Sequence, residues 1–166
     1  MLDLKQIFSG EVKEIPFDAE YDLAPVSSDI VSGVCKVNGR CRGFADYAEF
    51  SASFTFSYRA LCARCGEEYD GSFSFDVTSP IALSLESEDD EDKFIVLEDG
   101  KLDLDDVCMS NIILSMPTRF LCRDDCKGLC PGCGANLNNS VCSCGGNKVD
   151  PRLEKLKQYL NKQKNI

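Results

Sequence analysis

The chain has 166 residues, of which 43% are hydrophobic, and carries a formal net charge of −10 with no histidine. That length suits one domain, or one domain with an appendage, and no apolar run reaches the roughly 18–20 residues that span a bilayer. The negative field also excludes a non-specific coat for nucleic acid, because it would repel phosphate.

The charge is unevenly spread. Residues 1–118 carry −15, whereas residues 119–166 carry +5. We therefore expect a β-rich body with one helix over 1–118. A Cys-rich segment and a C-terminal helix follow over 119–166, packed on the body as a single compact unit. The first residues, Met-Leu-Asp-Leu-Lys, show no basic region followed by an apolar stretch and a small-residue cleavage site, so a cytoplasmic location is expected.

Taken in chain order, residues 1–37 alternate only weakly, which predicts short strands with loops near Pro16 and Pro25. Asn38-Gly39 predicts a two-residue hairpin turn, since both residues tolerate positive φ. Ala48, Phe50, Ala52, Phe54, Phe56, Tyr58, Ala60 and Cys62 then occupy every second position, which places them on one face of a long strand. Alternation resumes with Tyr69, Phe73, Phe75 and Val77 and continues through Ile81, Leu83 and Leu85. The two runs predict a hairpin with Cys62 and Cys65 at its tip.

Residues 86–92 (Glu-Ser-Glu-Asp-Asp-Glu-Asp) predict a solvated loop. Phe94–Leu97 predicts another strand. Asp103 then serves as N-cap of a helix near 104–115, with Asp105 and Asp106 suiting its positive end and Met116-Pro117 ending it. Further on, Asp150-Pro151 has the form of an N-cap with proline at the first helical position, and Leu153, Leu156 and Leu160 form the apolar stripe of a last helix. The fold class read from these elements is α+β: an antiparallel sheet centred on residues 44–85, a helix near 104–115, a zinc-stapled segment and a C-terminal helix.

The eleven cysteines carry the chemistry. An odd number of thiols in a chain without a visible signal peptide favours metal over a disulfide framework. Cys122, Cys126, Cys130, Cys133, Cys142 and Cys144 lie within 23 residues, and Cys62 and Cys65 bring the set to eight. Zn²⁺ takes four thiolates tetrahedrally, so eight thiols close two Cys₄ sites. Cys130-Pro-Gly-Cys133-Gly reads as a zinc knuckle, paired most simply with Cys142 and Cys144. That leaves Cys122 and Cys126 to meet Cys62 and Cys65, although spacing alone leaves Cys126 open to either site.

Closed four-sulfur sites are structural, because a catalytic zinc keeps a position open for water. A redox Cys-x-x-Cys is the rival for Cys62 and Cys65, but it would sit at a helix N-terminus rather than between two strands. Cys35, Cys41 and Cys108 read as small buried hydrophobes. Histidine-based triads are excluded by composition, and neither a phosphate-binding loop nor a dinucleotide fingerprint occurs. No small-molecule substrate is evident. The chain reads as a binding protein rather than an enzyme.

The string Leu121-Cys122-x₃-Cys126-Lys-Gly-Leu-Cys130-Pro-x-Cys133-Gly-x-Asn136-Leu-Asn138, followed by Cys142-x-Cys144 and Asp150-Pro-Arg-Leu153, resembles the YceD family of bacterial and plastid large ribosomal RNA subunit accumulation proteins. Cys62-x-x-Cys65 and the 102–117 helix with its proline exit fit the same family, over roughly residues 45–160. The resemblance implies a factor in synthesis, processing or accumulation of large-subunit (23S) rRNA, with zinc as scaffold. On that basis we expect Arg119, Arg123, Lys127, Lys148 and Arg152 to meet rRNA, its precursor or a large-subunit ribosomal protein. The alternatives are an acidic chaperone that shields a basic ribosomal protein through residues 86–106, and a thiol redox or metal sensor.

Overall fold

Period-two alternation governs the first half of the molecule and produces long paired strands. The computed structural model describes residues 1–44, 47–83, 94–97 and 99–144. The acidic stretch 86–92, the Leu153–Leu160 stripe, Lys148 and Arg152 lie outside these residues. The chain divides into two compact units, Met1–Asp124 and Asp125–Ile166.

In the first unit, β1 (Leu2–Asp3) leads into a short helix α1 (Lys5–Phe8), followed by β2 (Glu14–Asp22), β3 (Ile30–Gly43), β4 (Ala48–Leu61) and β5 (Glu68–Ala82). Next come β6 (Ile95–Val96), β7 (Lys101–Leu102) and α2 (Leu104–Ser115). The main sheet has the order β2-β3-β4-β5-β6, antiparallel throughout except that β6 pairs parallel with β5. β1 and β7 form a separate antiparallel pair. The hairpin β4–β5 matches the expectation: fourteen consecutive positions pair, from Ala48 opposite Ile81 to Leu61 opposite Glu68.

Three readings of the N-terminal third need correction. β2 and β3 span 9 and 14 residues, so the strands are not short. Pro16 lies within β2, where an edge position lets it do without an N–H. Pro25 does fall in the connection between strands.

Asn38-Gly39 is not a turn but the middle of β3, with Gly39 opposite Phe17 on one side and Ala52 on the other. A Cβ at Gly39 would collide with the Phe17 ring and lie 2.8 Å from the Ala52 Cβ. The glycine therefore makes room for an aromatic lid, and Phe17 runs on to stack against Phe50 at 5.3 Å. Turn propensity yields here to cross-strand packing.

One face of the sheet is the core. Phe50, Phe54 and Phe56 of β4 are fully buried, with Phe54 stacked on Phe75 at 4.9 Å and Phe56 on Phe73 at 4.2 Å. Such ring pairs contribute about 0.5–1.5 kcal/mol each beyond the area they bury. α2 forms as its sequence predicts. The Asp103 carboxylate accepts from the Asp105 and Asp106 backbone N–H groups, and Cys108 and Ile112 turn inward. The Tyr21 hydroxyl donates to Asp105 at 3.0 Å, tying α2 to β2. Among the described residues no helix is long and apolar enough to cross a membrane.

Candidate metal centres

The two Cys-x-x-Cys-Gly turns share one backbone design. At the β4–β5 tip the Gly66 N–H donates to the Cys62 carbonyl (2.8 Å) and the Cys62 N–H to the Glu67 carbonyl (2.9 Å). At the second turn the Gly134 N–H donates to the Cys130 carbonyl and the Cys130 N–H to the Ala135 carbonyl, both at 2.8 Å. Gly66 and Gly134 have φ of 72° and 73°, the left-handed region in which a side chain would be strained. Each turn folds both of its sulfurs to the same side. Sequence spacing marked the second as a knuckle, and the first matches it bond for bond.

The sheet itself positions the first knuckle. Tyr58 of β4 has a glycine opposite it on both sides, Gly33 in β3 and Gly71 in β5. Its ring lies over Gly71, where a Cβ would come within 2.6 Å of it. Phe120 meets that ring edge-on at 5.3 Å, and the Phe120 carbonyl accepts from the Ala63 N–H at 2.8 Å. The Arg64 guanidinium donates to the Asp124 carbonyl at 3.0 Å. The Cys65 and Cys122 sulfurs thereby stand 3.8 Å apart.

The sulfurs of Cys62, Cys65, Cys122 and Cys126 lie within 4.8 Å of one another, as do those of Cys130, Cys133, Cys142 and Cys144. A tetrahedron with Zn–S bonds near 2.3 Å has S···S edges of about 3.8 Å. Cys65–Cys122 meets that value, and Cys133–Cys142 (3.6 Å) and Cys130–Cys142 (3.2 Å) come near it. All are far longer than the ~2.05 Å of a disulfide. The donor set is soft and negatively charged, with no histidine in the chain, which fits zinc in a closed site.

The backbone readies the sulfurs for metal. Burial pushes the Cys62 thiol up, but the Cys122, Cys65 and Arg64 backbone N–H groups outweigh it and bring Cys62 down to about 6. Cys130 also falls to about 6, chiefly through its contact with Cys142 and then the Gly132 and Cys133 N–H groups. In the opposite direction, sharing with Cys142 and Cys133 raises Cys144 to about 12. Each group thus holds one thiol drawn toward the thiolate form that a metal ion binds.

One supporting residue carried no signal in the spacing of the thiols. The Asn138 side-chain amide donates to the Cys126 sulfur at 3.3 Å, while its carbonyl oxygen accepts from the Lys127 N–H at 2.8 Å. Asn136 accepts from Asn138 in turn, at 2.9 Å. Partners of this kind orient a ligand and tune its charge. Of the five cations expected at a partner surface, Arg119, Arg123 and Lys127 are exposed.

With this geometry in view, the family match is specific. The profile described as "Large ribosomal RNA subunit accumulation protein YceD" matches residues 50–159, a stretch holding all eight grouped cysteines. The chain belongs to the YceD family. The family's name connects its members with accumulation of large-subunit ribosomal RNA. Uncharacterized proteins of Mycobacterium bovis and of two Mycobacterium tuberculosis strains are similar to this YceD-family chain, each 31% identical over 102 residues. That alignment covers 60% of this chain and 49% of each relative, so the chain spans about half the length of the curated proteins it matches. No solved structure matches it.

Proposed function

We propose that this YceD-family chain is a non-catalytic, zinc-stabilised binding protein that supports accumulation or processing of 23S rRNA. The observation that carries the reading is the pair of four-sulfur groups built on twin knuckles within the stretch the family profile matches. Four thiolates saturate a tetrahedral zinc, so each ion would serve to hold backbone rather than to activate water. Cys62, Cys65, Cys122 and Cys126 would hold one ion, and Cys130, Cys133, Cys142 and Cys144 the other. Zinc in small Cys-rich units supplies about 10–16 kcal/mol of apparent folding free energy. The stretch from Asp125 onward needs such support, because its described apolar side chains, Leu129, Leu137 and Val141, include none that is fully buried.

The surface proposed to meet rRNA or a large-subunit ribosomal protein includes Arg119, Arg123, Lys127, Lys148 and Arg152, while the acidic remainder limits indiscriminate RNA binding. Pulldown of the zinc-loaded chain from growing bacteria, with and without RNase, tests this. Large-subunit rRNA recovered from the untreated arm, with no ribosomal protein retained after RNase, supports direct contact. A basic ribosomal protein recovered equally in both arms supports the chaperone reading instead, which the exposed Glu14, Asp18, Glu20 and Asp22 along β2 favour.

A further inference from the structure

The two edges of the main sheet differ in character. On β2, Pro16 offers no N–H, and Glu14, Asp18, Glu20 and Asp22 alternate along the exposed side. Both features discourage an added strand. β5 is paired with β4 from Glu68 to Ile81, but among the described residues its other side is taken up only at Ile81 and Ala82, by β6. Among the described residues, nothing pairs with the outward backbone donors and acceptors of residues 68–80, a stretch with no lysine and no proline before Pro80.

Of the three acids in this stretch, Glu68 stands at its very end, and the two within it do not guard the edge. Asp70 is held by the Arg59 guanidinium through bonds of 2.9 and 3.1 Å, and Asp76 accepts from the Ser53 hydroxyl, so both lean inward toward β4. On the other face, Tyr69, Phe73, Phe75 and Val77 pack on the core yet stay only half-buried. A strand laid along the edge would both satisfy the backbone and cover this row.

We propose that β5 docks a second copy of this chain, pairing antiparallel with its own equivalent about a two-fold axis at Ser74. Ser74 is the midpoint of the open stretch, so this register uses all of it. Phe73 then faces the second copy's Phe75, Gly71 faces Val77, Ser72 faces Asp76 and Asp70 faces Thr78. Aromatic meets aromatic, and no like charges stand directly opposite. With the axis at Phe73 instead, Asp70 would oppose Asp76. With the axis at Phe75, pairing would run past Pro80 into the positions held by β6. The product is a symmetric dimer with one continuous sheet, an isologous interface of the commonest kind.

Sedimentation equilibrium of the full zinc-loaded chain tests this, comparing wild type, Ser74→Lys and Asp18→Lys. Ser74 is exposed, so lysine there leaves the protomer fold intact while placing two ammonium groups on the axis. The wild type is expected to dimerise, Ser74→Lys to weaken the dimer at least about tenfold, and Asp18→Lys on β2 to leave it unchanged. Amide exchange over residues 68–79 should slow as protein concentration rises. A wild type that stays monomeric, or a dimer indifferent to Ser74→Lys, overturns the proposal.

Discussion

Cys35 and Cys41 lie on one face of β3, fully shielded, and Cys108 of α2 is equally buried. Burial, then the proximity of Cys108, pushes Cys35 up to about 11 and Cys41 up to about 12. Between pH 9 and 12 an unfolded chain releases these thiol protons while the folded one keeps them. The stability they confer is therefore complete below about pH 9 and lost as pH rises through 11–12. Denaturant unfolding across this range should show stability falling with pH, and Cys41→Ala should flatten that slope. An unchanged slope would mean that Cys41 ionises as freely in the folded state as in the unfolded one. Two of the grouped thiols shift the other way: Cys62 and Cys130 are drawn down to about 6 and present thiolate at neutral pH. Residue identity thus sorts the cysteines by surroundings: three serve as core hydrophobes, and eight stand in two fours.

At the scale of elements, the β4–β5 hairpin connects the sheet to the first knuckle through Tyr58, Gly71 and Phe120. Gly71→Ala would push a methyl into the Tyr58 ring and displace its edge contact with Phe120, at a cost of about 1–3 kcal/mol. In a Tyr58→Ala background the same change should cost much less, so thermal unfolding of the four-member cycle should reveal strong coupling. Additive effects would remove Tyr58 from that chain of contacts. The hairpin was legible in the sequence because alternation from Ala48 to Val77 is long and its inward residues are large. α2 was legible from Asp103, its two following acids and Pro117. Gly39 misled because a glycine that admits a neighbouring ring and a glycine that permits a turn look alike in one dimension. The parallel pairing of β6 could not be read either, since two residues hold too little pattern to set direction. Asn138 left no trace in the thiol spacing, because its role depends on a fold-dependent approach to Cys126.

At the scale of the whole molecule, a chain of charge −10 that approaches rRNA must do so through a restricted basic surface. If Arg119, Arg123 and Lys127 contact phosphate, affinity for large-subunit rRNA should fall steeply with salt. Reversing all three to glutamate should abolish most binding and flatten that dependence. Salt-insensitive binding would shift the reading toward a protein partner. In the proposed function, either mode rests on metal keeping the Cys-rich chain in one shape, so the foundation of that proposal is two separate, closed Cys₄ sites. Cadmium-113 NMR of the metal-exchanged full chain addresses it directly. The expected spectrum has two resonances at shifts typical of four thiolates. One should couple to Cys62, Cys65, Cys122 and Cys126, and the other to Cys130, Cys133, Cys142 and Cys144. A single resonance, or coupling of Cys126 to the second ion, would contradict it.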